Sequence, residues 1–346
     1  LPKEQVLSLS CIKAIFIDIY CITIDIAFFI YFQYRLHIMN IKDFFIIAPE
    51  VQEAIQKNKP VVALESTVIA HGLPKPKNIE AALKMEQIIR ENGAIPATIA
   101  ILNGKVKVGL TKNEFQLLND PKIAKVSIRD ISLLIAEHGS GATTVAGTMW
   151  AAHQAGIQFF VTGGIGGVHP GDGMDFSGDL PALSTIPVAV ICSGPKSILD
   201  LPRTREWFET WGIPALGYKT NVLPAFYTAK TNIPIDRQVN TIEEMANYVQ
   251  AHLMLKRSGI LITVPVPSDK EVSAQEFHNW HHQCEEIAAK QKISGSALTP
   301  FMLGYLRELS KDATLMANLA LLENNALIGA KIAYAYWTKL GKESNV

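Results

Sequence analysis

Apolar residues follow two rhythms along this chain. Short apolar runs of strand length are separated by stretches in which apolar positions recur every three or four residues. From Ile41 onward that alternation predicts an α/β protein. Pro60 to Thr67 (PVVALEST) reads as a buried strand ending in a polar tip. Asn78 to Asn92 reads as a helix, with Ile79, Ala82, Leu83 and Ile89 on one face and Gly93 as its stop. Further strands are expected at Ala97 to Leu102, Ala124 to Ser127, Gly156 to Thr162, Ile186 to Cys192, Ile213 to Tyr218 and Gly259 to Val266. Helices are expected over Arg129 to His138, Val145 to Ala155 and Thr204 to Trp211. Thr111 with Glu114, Thr241 with Glu244 and Ser273 with Glu276 have the spacing of capping boxes that open three more. Thr299-Pro300 starts another, and the Ala- and Leu-rich stretch from Asp312 is helical almost to the end. No repeat or Pro/Gly/Ser linker interrupts the pattern, so one domain is expected over residues 39–346.

The first 38 residues break the pattern: they hold no Gly and are rich in Ile and Phe. Ile15 to Phe32 is about long enough to span a bilayer, but Asp18 and Asp25 interrupt it at a cost of roughly 3 kcal/mol each. Neither a basic leader region nor a small-residue cleavage site stands out. The chain begins with Leu and its first Met is Met39. The expectation is that residues 1–38 are a non-family extension outside the working protein, with a membrane anchor as the alternative.

Charge then narrows the function. The 32 basic and 32 acidic residues cancel, which leaves no cation excess for nucleic acid. A single phosphorylated metabolite needs only a few local cations. Cys11, Cys21, Cys192 and Cys284 show neither CxxC nor metal-ligand spacing, as expected of reduced thiols in a cytoplasmic protein.

Polar residues gather where strands end, the place where open α/β sheets bind ligands. These are Glu65, Ser66 and Thr67, then Lys125 and Ser127, Thr162 and Lys196. Any one lysine after a strand reads first as a solvated charge; recurrence after four strands is the signal. Gly163-Gly164-Ile165-Gly166-Gly167 fails the dinucleotide pattern, because the sixth position from Gly164 is His169. It reads as a tight turn or as backbone amides approaching an anion. GSGATTV places a helix start at Thr143 or Thr144, a potential phosphate site. Asp175, Ser177 and Asp179 lie in a Gly-rich loop, which reads either as a solvated turn with Asp179 as a cap or as a site for Mg²⁺ or Mn²⁺.

Taken in order, VALESTVIAHGLP, ATIAILNGKVKVGLT, KVSIRDI, GATTVAGTM, VTGGIGGVH, DFSGDL and SGPKSILDL strongly resemble the pseudouridine-5'-phosphate glycosidase family, also called indigoidine synthase A-like. The resemblance runs from about Ile46 to Trp337. It implies a three-layer α/β/α sandwich around a central mixed sheet, a cytoplasmic homotrimer and one Mn²⁺ per subunit, with Mg²⁺ as the substitute. It makes Glu65 the proton donor and Lys196 the nucleophile. Substrate contacts fall on Lys125, Val145, Thr162, His169, Ser177, Gly178, Asp179 and Asn318, and the metal aspartate on Asp175. Thr162 and His169 fall on the phosphate side and Asn318 on the uracil. The sequence departs from the family at Pro170, where Arg is usual, in a shortened His169–Asp175 loop, and in SGD and SGPK for SAD and AGAK.

The implied reaction is reversible cleavage of the carbon–carbon bond of pseudouridine 5'-phosphate, giving uracil and ribose 5-phosphate. Carbon is a poor leaving group for simple hydrolysis, and a neutral lysine amine offers an imine route. Two rivals stand beside it: another lysine-imine sugar-phosphate lyase, and a non-catalytic protein of a pigment pathway that binds a phosphorylated metabolite. A carbohydrate kinase finds no nucleotide loop to support it.

Overall fold

The computed structural model describes residues 40–171, 173–293 and 298–343, so the extension 1–38 lies outside the described residues. Ile41–Phe44 is a 3-10 turn. Phe45–Val346 forms one compact unit. Its strands are β1 (Phe45–Ile47), β2 (Val61–Leu64), β3 (Ile95–Leu102), β4 (Lys105–Val108), β5 (Ala124–Val126), β6 (Gly141–Thr143), β7 (Phe159–Val161), β8 (Ala189–Cys192), β9 (Ala215–Tyr218), β10 (Arg237–Val239) and β11 (Ile260–Thr263). Among the described residues these make one mixed 11-stranded sheet in the order β1-β4-β3-β2-β7-β8-β11-β9-β10, with β6 joined to β3 and β5 to β6.

The central strands are buried along their whole length, which is why their sequences run apolar without a polar alternate. Successive residues nonetheless face opposite layers. Val62, Leu64, Phe159, Val161 and Ile191 pack into one core, with Met85, Ile89, Met245, Val249 and Leu321 from the helices Lys77–Glu91, Ile242–Met254 and Ala313–Glu343. Val61, Ala63, Phe160 and Val190 pack into the other, with Val51, Met149 and Phe208 from the helices Pro49–Gln56, Val145–Gln154 and Leu201–Thr210. The result is the expected α/β/α sandwich.

One departure shapes the site. The sequence reads Pro60 to Thr67 as strand, but β2 stops at Leu64 and Val68–Gly72 winds into a single π-helical turn. The cause lies in β3, whose first half pairs with β2 up to Leu64↔Thr98. From Ile99 onward β3 pairs antiparallel with β4 on one side and β6 on the other. Strand β6 thus takes the place that a longer β2 would need, and the chain after Leu64 is turned out of the sheet. Ser66 and Thr143 close the junction: both hydroxyls donate to Ile99 O, at 2.6 and 2.8 Å, and Thr143 N–H donates to Ser66 Oγ at 2.9 Å. Ser66 is therefore a buried brace of the branch point.

Strand β4 escapes the periodicity reading because half-buried Lys105 and Lys107 alternate with buried Val106 and Val108. Its hairpin turns at Asn103-Gly104, with φ of 51° and 70°, the left-handed pair that a tight two-residue turn demands. The three capping positions hold: Thr111, Thr241 and Ser273 each accept the backbone N–H three residues on.

Candidate active site

The carboxyl ends of β2, β5, β7 and β8 and one face of the Ala313–Glu343 helix border an open cleft, lined by Glu65, Lys125, Thr162, Lys196, Phe226 and Asn318 among others. Each polar member arrives by a separate local device. Glu65 sits on the step where β2 leaves the sheet. Thr162 N–H donates to Ile191 O at 3.0 Å, which fixes the tip of β7, and its hydroxyl donates to Glu65 Oε1. Lys196 follows Gly194, which has φ of 84° and whose missing Cβ would lie 1.9 Å from Pro224 O. Only glycine fits there, and the turn carries Lys196 back over the sheet, its N–H donating to Ile165 O at 3.0 Å.

The electrostatics separate an acid from its cations. Burial pushes the Glu65 carboxyl above the ordinary carboxylate range and Asp179 adds to this, while Lys196, the Thr162 hydroxyl and Lys125 hold it back. Burial pulls the Lys125 ammonium down and the Lys196 charge pulls it further, against Asp179 and Glu65. The cleft thus holds a carboxyl with raised proton affinity beside two lysines, the composition expected of an acid and an amine nucleophile working together.

The remaining predicted residues do not line this cleft. Asp179 is 5% exposed and both its oxygens are engaged. Oδ1 accepts Ala146 N–H at 2.9 Å, and Oδ2 accepts Gly166 N–H at 2.8 Å. The helix start that the sequence reading offers to a phosphate is therefore partly filled by a carboxylate, with Thr144 as the N-cap accepting from Gly147 N–H. Val145 is buried in the apolar core, so only its backbone can face a ligand. Ser177 Oγ accepts Asp179 N–H at 3.2 Å, and a Cβ on Gly166 would lie 2.2 Å from that oxygen, so glycine lets the two loops touch. His169 N–H donates to Asp175 O at 2.9 Å, which closes the shortened loop through backbone, and Asp175 and Gly178 are exposed. Among the described residues no three His, Cys, Asp or Glu side chains converge as a metal cage. The donor set fits only an open site, in which one carboxylate and several waters hold a hard cation.

Comparison with known proteins places this constellation. The family model described as indigoidine synthase A like protein matches residues 50–335. The chain belongs to the indigoidine synthase A-like family. Within the family it is 47% identical over 300 residues to a pseudouridine-5'-phosphate glycosidase of Staphylococcus aureus, covering 86% of this chain and 98% of that one. A glycosidase of the same name from Legionella pneumophila is 46% identical, over 84% of this chain and 95% of its own. Among solved structures, the prealnumycin C-glycosynthase AlnA in complex with ribulose 5-phosphate superposes with a TM-score of 0.80 at 33% identity, over 86% of this chain and 99% of that one. An indigoidine synthase A-like protein of Thermotoga maritima gives 0.77 at 34% identity, over 84% and 96%. Among the described residues no helix is long and apolar enough to cross a membrane.

Three residues of this family member escape the sequence reading. Asn325 is fully buried and its amide donates to Thr162 O at 2.9 Å and Gly163 O at 3.4 Å, tying the helix to the tip of β7. It lies seven residues after Asn318, on the same helical face, and that spacing was its available signal. Phe226 adopts φ of 55°, rare for an aromatic residue, and lies where a Cβ on Gly164 would come within 2.5 Å of its ring. Nothing local in the sequence marks it. His71 also lines the cleft, inside a motif the sequence reading quotes for its glutamate alone.

Proposed function

We propose that this chain cleaves pseudouridine 5'-phosphate reversibly to uracil and ribose 5-phosphate through an imine on Lys196. The observation that carries this reading is the raised proton affinity of Glu65 in a cleft shared with Lys196 and Lys125. The names of the family relatives support the same substrate. In the forward direction the Lys196 amine bonds to C1' while the ring C1'–O4' bond breaks, and O4' takes a proton from Glu65. The Glu65 carboxylate then takes a proton from the newly formed C1'–NH2⁺ group and delivers it to C5 of the uracil ring. The amine lone pair then forms C1'=N, and the electrons of the C1'–C5 bond remain with the departing base. Water hydrolyses the imine, releasing ribose 5-phosphate and restoring the amine.

Thr162 holds Glu65 in place for this cycle. Lys125 supplies positive charge on the phosphate side, and its partial burial sharpens that charge. Mn²⁺ or Mg²⁺ would be held at Asp175, with water completing its shell, and would supply a Lewis acid for the sugar oxygens. The family resemblance supports a cytoplasmic homotrimer.

The test is direct. Wild-type protein with pseudouridine 5'-phosphate and Mn²⁺ should release free uracil. Lys196→Ala should lower turnover by at least roughly 10⁴-fold, and borohydride should no longer trap ribose 5-phosphate on the protein. Trapping retained in that variant would move the nucleophile elsewhere.

A further inference from the structure

His71 lies on the π-helical turn that follows Glu65, and it lines both the reaction cleft and the pocket adjoining it. Asn318 lines the same two cavities, across from it on the long helix. Both carry an enclosed polar atom without a hydrogen-bond partner, His71 Nε2 and Asn318 Oδ1. Enclosed polar atoms without partners are rare, and each invites a ligand that completes it.

The chemistry of the two atoms is set by their surroundings. Burial and the Lys125 charge lower the proton affinity of the His71 imidazole, and the backbone of Ala124 and Ile123 raises it. The net shift is below the ordinary imidazole range, which favours the neutral ring. A neutral ring with its proton on Nδ1 presents Nε2 as an acceptor. Asn318 Oδ1 is an acceptor by nature. The wall therefore offers two unfilled acceptors, flanked by apolar Val68, Leu303 and Phe226.

We infer that His71 is a base-reading residue, its Nε2 accepting one ring N–H of the uracil while Asn318 Oδ1 accepts the other. This rests on the proposed substrate. A uracil joined to the sugar through carbon keeps both N1–H and N3–H, whereas in ordinary uridine phosphates N1 carries the ribose and only one N–H remains. Two acceptors in the cleft thus select the carbon-linked isomer over the nitrogen-linked one by an unpaired acceptor, the kind of mismatch that discriminates strongly.

The experiment compares wild type, His71→Leu and His71→Gln with pseudouridine 5'-phosphate as substrate and with ribose 5-phosphate alone under borohydride. Ribose 5-phosphate forms the lysine imine without any base. The expected result is a fall in kcat/KM of roughly ten- to hundredfold in His71→Leu, with partial recovery in His71→Gln, whose amide oxygen restores an acceptor. Uracil should bind His71→Leu correspondingly more weakly, while ribose 5-phosphate is trapped at close to the wild-type rate. Trapping that falls along with turnover would overturn the inference, because His71 would then act on the sugar or the amine. Unchanged uracil affinity in His71→Leu would overturn it as well. Wild type that traps ribose 5-phosphate but releases no uracil would instead bring down the proposed substrate, and the base assignment with it.

Discussion

The cleft and the His169–Asp179 loop both hold residues that the family resemblance implicates, and they are built by opposite means. In the cleft, side chains from four strand ends and a distant helix face one another, and each alters its neighbour: Thr162 grips Glu65, Lys196 shifts both Glu65 and Lys125, and Asn325 ties down the turn beneath. In the loop, order comes from backbone, with His169 N–H on Asp175 O and Ser177 N–H on Gly167 O, while Asp175 stays in solvent. Asp179 stands between them: it is buried like the cleft residues, yet its carboxylate is spent on backbone amides. The difference teaches that the cleft sets the chemistry and the loop sets how much charge and water surround it. A preorganised, desolvated group loses its purpose when changed, and a solvated one is partly replaced by water.

The largest test of that contrast is Glu65→Gln. It should lower kcat by about 10²- to 10⁴-fold, the usual contribution of a positioned acid. Because burial keeps the proton on Glu65 to a higher pH than an ordinary carboxylic acid, wild-type activity should fall as pH rises through that raised value. The pH–rate profile of Glu65→Gln should lack this alkaline limb, and an unchanged limb would assign it to another group. Next comes Asn325→Ala, which leaves the Thr162 and Gly163 carbonyls without their buried donor. It should cost about 1–3 kcal/mol of stability, read as a lowered midpoint in urea, with a loss of kcat larger than any change in KM. The smallest effect is expected of Asp175→Ala: a roughly tenfold rise in the Mn²⁺ concentration giving half-maximal activity, with the pH profile unmoved. An Asp175→Ala loss as deep as that of Glu65→Gln would erase the distinction between the two regions.

Much of this fold was legible residue by residue. The buried strands read correctly because parallel strands covered on both faces must be apolar throughout, and the helix starts at Thr111, Thr241 and Ser273 read correctly because a cap is a local hydrogen bond. Strand ends were another matter. Glu65 to Thr67 has strand composition, and only the pairing of β6 with β3 shows why the chain departs there. Of the predicted site residues, Glu65, Lys125, Thr162, Lys196 and Asn318 meet in the cleft, while Val145, His169, Asp175, Ser177, Gly178 and Asp179 lie outside its lining. The signal that a loop residue is polar and Gly-flanked does not tell whether it faces a ligand or a neighbouring amide, as Asp179 illustrates.

The sequence by itself determined the α/β alternation and the helix caps, since each depends on contacts within a few residues along the chain. Only the tertiary structure decided that Glu65 has a raised proton affinity, that Asn325 is a tie rather than a surface amide, and that His71 and Asn318 each keep an enclosed polar atom without a partner. Proton affinity and hydrogen-bond satisfaction are properties of an enclosure, and an enclosure exists only once segments far apart in the chain have closed around the group.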